Sequence, residues 1–348
     1  MLDFGLDSNG ELRFSVSDHL VEKIRVRHAR ALDLLRGIEA SGAVRLAADA
    51  ELMARHPSSH ALLSFRDNEM SPEQAAQALR LLSSLDADRI LRLETGRVAV
   101  LQHSAMLPPA DGGAALLQID AAASSASGAL DALIDDVSST AGPAWDRFMH
   151  PVNTVTLVCV PGMPDLPYFS GSTSGIWGAI HMSMPSSAGI LGESFTHEAA
   201  HFWLHAIEEF GELAAQAWTD QTWVSPWRND PRPVAGIIHG VYVFSAAACT
   251  LAKMVLESQT DGDQSRADSV GQRAATLAAQ VEDGSREILR SGRATPHGLH
   301  VIEAGMSRLP VVLEALGAER MKAAREHVRQ RREQKISAWE SQGVAFAR

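Results

Sequence analysis

The stretch Ser194-Phe195-Thr196-His197-Glu198-Ala199-Ala200-His201-Phe202-Trp203-Leu204-His205 contains the pattern H-E-x-x-H. Residues four apart on an α-helix share a face, with Cβ atoms about 5–6 Å apart. His197 and His201 can therefore hold one metal ion between their imidazoles. Glu198 lies beside them, within reach of a metal-bound water or ligand. Ser194 or Thr196 is expected to cap the helix, and Ala199 and Ala200 keep it slim where a ligand must approach. A helix with two unrelated histidines is the competing account, since five residues can match by chance. The apolar run that follows, Phe202-Trp203-Leu204, weighs against it, because buried imidazoles among core residues need something to bind.

Upstream of this helix the chain changes character at Asn153. Thr154-Val155-Thr156-Leu157-Val158-Cys159-Val160 is β-branched and apolar and predicts a buried strand. A small-residue loop, Ser170 to Gly175, leads to a second predicted strand over 176–184, closed by Pro185. The edge of such a strand could hold an extended peptide by main-chain hydrogen bonds. His181 on it reads as a strand histidine in polar surroundings rather than a substrate contact.

Before residue 150 the pattern is helical: 18–40, about 46–55, a helix opened by Ser71-Pro72-Glu73-Gln74, and about 129–137. Residues 1–16 read as an irregular arm or short strand with a turn at Asp7-Ser8-Asn9-Gly10. Downstream, a loop with Trp218, Trp223 and Trp227 among several prolines is expected to pack over the site. A long apolar helix spans about 234–256, a polar connection 258–271, and further helices about 274–289 and 297–307. The Arg- and Lys-rich helix at 318–339 reads as a solvated face. The expected fold is α+β and mostly helical. A zincin-like metal helix lies beside a small β-sheet, with an N-terminal helical region at 1–150 and a metal-binding region at 151–348.

The net charge of -11 argues against nucleic acid as a partner. No apolar run is expected to span a bilayer, and the start lacks a signal-peptide profile, so no membrane partner and a cytoplasmic location are expected. Cys159 and Cys249 both read as small core residues rather than a disulfide.

Two histidines alone do not define a reaction, and a catalytic metal usually has a third protein ligand. His205 is eight residues beyond His197, about 12 Å along the axis, too far for all three to share one ion. Glu208, Glu209 and Glu212 meet the same objection. His239 sits in the apolar helix segment Gly236-Ile237-Ile238-His239-Gly240-Val241-Tyr242-Val243-Phe244, where an imidazole needs a polar partner. It is the first choice, and Asp220 is the second.

His197-Glu198-Ala199-Ala200-His201, then Trp227, then Arg232-Pro233, Gly236 and His239-Gly240-Val241-Tyr242 with Phe244, resembles the HEXXH-motif family of peptide-modification proteins encoded with ribosomally made peptides. The resemblance covers about residues 150–250. It implies an iron(II)/2-oxoglutarate-dependent dioxygenase that hydroxylates the β-carbon of a residue in a ribosomally synthesised precursor peptide. His197, His201 and His239 would bind iron(II), and Glu198 would orient a ligand or bound water. Arg232 would hold the distal carboxylate of 2-oxoglutarate, with Arg228 as the alternative. Dioxygen is the co-substrate, and a homodimer is compatible with the reading. The runner-up is a zinc-dependent metallopeptidase with Glu198 as general base and the strand at 176–184 aligning the scissile peptide. A binding module with a structural metal is a third class, and the presence of Glu198 without an obvious fourth ligand counts against it.

Overall fold

A computed structural model describes residues 2–40, 91–92, 99–101, 118–119, 127–152, 154–159, 168–172, 177–215, 222–344 and 346. The helices expected at 46–55 and from Ser71, and the alternative ligand Asp220, lie outside the described residues. In chain order the elements are β1 (Leu2–Leu6), β2 (Leu12–Val16), α1 (Asp18–Ala40), β3 (Leu91–Arg92), β4 (Ala99–Leu101) and β5 (Gln118–Ile119). They continue with α2 (Ser127–Ala141), α3 (Pro143–Phe148), β6 (Thr154–Cys159), β7 (Ser170–Gly171), β8 (Ala179–Met182) and α4 (Ala188–Glu208). Last come β9 (Thr222–Trp223), β10 (Arg232–Pro233), α5 (Val234–Thr260), α6 (Gln264–Ser291), α7 (Pro296–Ser307), α8 (Leu309–Leu316) and α9 (Ala318–Gln342). The protein is α+β and mostly helical, as its sequence predicts. It forms two compact units. One comprises Met1–Val16, Val137–Phe148 and Gly192–Arg348, the other Ser17–Asp136 and Met149–Leu191.

The second of these units carries a sheet in the order β3-β4-β6-β8-β7. Strands β4, β6 and β8 run parallel, with β3 and β7 antiparallel at the two ends. Val155, Leu157 and Val158 are buried, as is every residue of β8, the pattern of a sheet covered on both faces. The β8 strand is shorter than the span 176–184, because Gly178 takes a left-handed φ of 91° immediately before it. It is not an open edge either: β7 pairs with it at His181 and Met182. His181 is buried to 1% exposure in that strand, not set in a polar face. Cys159 is exposed, contrary to the core reading. It ends β6 beyond Leu157, the last residue that β8 covers.

In the other unit, residues 2–16 form a full antiparallel hairpin, two short strands about the expected turn at Asp7–Gly10 and not an irregular arm. The Asp7 carboxylate accepts from the backbone N–H groups of Asn9 (2.8 Å) and Glu11 (3.0 Å), which closes the turn. Phe4 stacks on Phe148 at 4.0 Å, and Phe14 reaches both Phe148 and Trp203. The Trp203 indole N–H donates to the Phe148 carbonyl (2.8 Å), so hairpin and α3 pack on the face of α4 away from its histidines. On the same side Trp145 donates to Thr196 Oγ1 (2.9 Å), which donates to Thr250 Oγ1 (3.0 Å), a buried relay joining α3, α4 and α5. Thr196 is thus a core link and Ser194 is buried mid-helix; neither caps it. The cap is Ser187, whose Oγ accepts from the Ile190 N–H (3.3 Å), so α4 begins about two turns before His197.

Helix α5 is the core of this unit and packs against α6, α7 and α8. By length and composition alone it could cross a membrane, against the expectation that no run could. Most of it is buried inside the protein, as a central core helix requires. The connection expected at 258–271 shrinks to Asp261–Asp263. Asp263 caps α6 by accepting from the Arg266 N–H (3.0 Å), and the polar run is the exposed side of its first turns. The basic helix α9 is not merely a solvated face. Arg320 pairs with Asp268 (2.9 Å), Arg325 forks onto Glu282 (2.7 Å twice), and Arg332 binds Asp283 (3.2 Å) and Glu287, all on α6.

Candidate metal centre

His197, Glu198 and His201 lie on α4 with one potential ligand atom each, all within 4.8 Å of one another. The two Nε2 atoms approach to 3.1 Å. Two imidazoles bound to one ion at about 2.1 Å, with an angle near 90–109°, hold their nitrogens roughly 3.0–3.4 Å apart. The helix therefore sets this pair at the bite of a single ion. The His197 Nδ1 is buried without a hydrogen-bond partner, and Glu198 is buried to 2% exposure. Desolvation, with a smaller push from the Arg273 guanidinium, lowers the His197 pKa to about 3. Desolvation and then the neighbouring rings of His197, His239 and His205 put His201 well below its usual value. Both imidazoles stay neutral at physiological pH, the protonation state that a metal requires.

His239, on α5, brings its ring centroid to 5.8 Å from that of His201. Its Nε2 is 2.7 Å from Glu208 Oε1, and the other oxygen of Glu208 is 2.9 Å from His205 Nδ1. The tight cluster of three donor atoms does not include His239. His205 faces Glu208 and lies 6.1 Å, ring to ring, from His201. Burial pushes the Glu208 carboxyl up, but hydrogen bonds from His205 and His239 override this and hold it at about 2. Glu208 was set aside as a ligand on helical rise alone. Its role as an anchor for two rings was legible only in its i+3 spacing from His205.

Trp218 lies outside the described residues; the rest of the tryptophan loop, 222–233, packs on this site from the α5 side. β9 and β10 pair antiparallel around it. The Trp227 ring stacks on Phe244 at 5.2 Å and 11°, and Phe244 lies 4.4 Å from His197. A Cβ at Gly240 would meet Trp227 at 2.5 Å, and one at Gly284 at 2.8 Å. Two helices, α5 and α6, thus yield a notch that only this ring fills. Lys335 on α9 donates to the carbonyls of Ser225 (2.8 Å), Pro226 (3.3 Å) and Arg228 (2.7 Å), and the Trp339 indole donates to that of Asn229 (3.1 Å). The C-terminal helix is what fixes the loop. Arg232 is 36% exposed, with its Nε 2.8 Å from Asp230; Arg228 is more exposed and pairs with the same carboxylate at 3.1 Å.

One ion pair near the histidines had no sequence signal. Arg273 on α6 forks onto Glu193, one turn before His197 (Nε to Oε2, 2.7 Å). A comparison with protein-family models and one with curated proteins found no match to this chain.

Proposed function

We propose that the chain is an iron(II)/2-oxoglutarate-dependent oxygenase that hydroxylates the β-carbon of a residue in a ribosomally made peptide. The observation that carries this reading is the 3.1 Å approach of two neutral imidazoles beside a buried glutamate, with the His239 ring on another helix 5.8 Å from that of His201. In it, His197, His201 and His239 hold the iron. A ring nitrogen hydrogen-bonded to a carboxylate leaves the other as the ligating atom, so Glu208 orients His239. With 2-oxoglutarate and dioxygen, the bound iron supplies oxidation of an unactivated C–H bond: the peptide C–H becomes C–OH, and the keto acid becomes succinate and carbon dioxide. Arg232 is assigned to the distal carboxylate of the keto acid. The Arg232 Nε lies 2.8 Å from Asp230, and this guanidinium makes no hydrogen bond among the described residues, which suits it to a bidentate acceptor. Glu198 orients a ligand or carries a proton at its carboxylate, and Phe244 and Trp227 keep water from the His197 side. The zincin-like arrangement and a cytoplasmic setting belong to the same proposal.

The alternative, a zinc metallopeptidase, is favoured by the burial of Glu198 within the cluster, as a general base would require. Pairing of β7 onto β8 weakens the peptide-aligning role given to that strand. Anaerobic loading with iron(II), then 2-oxoglutarate, air and short peptides encoded nearby, separates the two. Succinate together with a one-oxygen gain in peptide mass supports the oxygenase. Peptide cleavage by the zinc-loaded protein under nitrogen, with no succinate from the iron-loaded one, overturns it.

A further inference from the structure

Behind the tryptophan loop, α6 and α9 enclose a cavity of about 370 Å³. Trp227 forms part of its wall, and no candidate metal ligand does. Its lining includes four cationic side chains, Arg273, Arg331, Arg332 and Lys335, against a single carboxylate, Asp283. Two of these cations are neutralised nearby, Arg273 by Glu193 and Arg332 by Asp283 and Glu287. The other two meet neutral oxygens. Arg331 reaches only the Asn229 amide oxygen, at 3.4 Å, and Lys335 donates to three main-chain carbonyls. They lie four residues apart on one face of α9, one turn beyond His327, which also lines the cavity. Desolvation, then the like charge of Arg331, lowers the Lys335 pKa to about 8 against a smaller upward pull from the carboxylates of Asp283 and Asp230. In a protein of net charge -11, Arg331 is thus a guanidinium at the cavity mouth with no carboxylate partner among the described residues.

We infer that this cavity binds carboxylate groups, seating them between Arg331 and Lys335 with the Arg273 and Arg332 pairs at its sides. A guanidinium fork is the donor that carboxylates select, and the Lys335 ammonium, whose N–H groups already serve three carbonyls, adds its charge beside it. The space suits either a small polycarboxylate or side chains of an acidic peptide segment, which present the same chemistry. The inference is independent of which ion α4 holds.

The test is calorimetric titration of the full chain at low ionic strength with citrate, with an oligoglutamate peptide, and with its oligoglutamine counterpart. Saturable binding of citrate identifies a small-molecule site, and binding of oligoglutamate alone identifies a peptide site. Either must weaken about tenfold or more in Arg331→Glu, since a charge-assisted contact is lost and reversed. Arg329→Glu makes the same change in net charge outside the cavity and should weaken binding less than about twofold. Arg331 is exposed, so its replacement leaves the fold intact, which circular dichroism checks. Absence of binding by both anions, equal binding of oligoglutamine, or equal losses in the two variants would overturn the inference.

Discussion

Replacing Gly240 by Ala tests whether the Trp227 notch is as tight as it looks. In a helix interior this change by itself stabilises by roughly 0.5–1 kcal/mol, because glycine loses more backbone entropy on folding. Here the new methyl would sit 2.5 and 2.6 Å from two ring atoms of Trp227, where ordinary contact begins near 3.4 Å. The indole is held on one face by Phe244, stacked on it at 5.2 Å, and Gly284 gives it clearance only by lacking its own Cβ. Overpacking of this kind costs about 1–3 kcal/mol, so the net effect is a loss of up to about 2.5 kcal/mol. At about 2–4 °C per kcal/mol for a domain of this size, the Tm falls by up to roughly 10 °C. In a Trp227→Val background the clash disappears, and Gly240→Ala should raise the Tm instead. Thermal melts of the four proteins in this cycle give the coupling directly. A Gly240→Ala protein more stable than its parent with Trp227 intact would refute the reasoning.

Gly298→Ala should be the most damaging replacement among the described glycines, because its Cβ would fall 2.0 Å from the Leu213 carbonyl oxygen, a backbone atom that cannot swing aside; urea midpoints measure the loss. Glu208→Gln should destabilise at neutral pH. The parent's advantage is present above a carboxyl pKa of about 4.5 and fades as pH falls through about 2, so the gap between their urea midpoints should narrow over that window and not widen. Exposed Cys159 should alkylate readily near pH 8 in the native protein. Cys249, whose thiol burial pushes up to about 11, has a thiolate fraction of about one in a thousand there and should react only after denaturant is added, as intact mass will show.

Where a segment's own periodicity decided its structure, the sequence was a sound guide. The helices at 18–40 and 234–260 and the strand at 154–159 follow from their apolar patterns. The i, i+4 spacing of His197 and His201 alone implies the approach of their nitrogens. What could not be read depended on partners distant along the chain. Cys159 looks like a core residue, yet it closes β6 beyond the last residue paired with β8, where Gln118 of β5 pairs with it. Thr196 and Ser194 resemble caps only if α4 starts beside them, whereas Ser187 starts it earlier. The cations of α9 look solvent-facing until the carboxylates of α6 lie opposite them. Residues 264–271 have the composition of a linker, yet Asp263 caps them into helix. His239 was singled out from its apolar surroundings, but its bond to Glu208 joins positions 31 residues apart, which no local pattern encodes.

The account rests on three imidazoles sharing one ion. Anaerobic iron(II) titration, followed by metal analysis of the desalted protein, measures this most directly. We predict one equivalent per chain for the parent and for His205→Ala, and loss of stable binding in His197→Ala, His201→Ala and His239→Ala. Retention of a full equivalent at unchanged affinity by His239→Ala would contradict it.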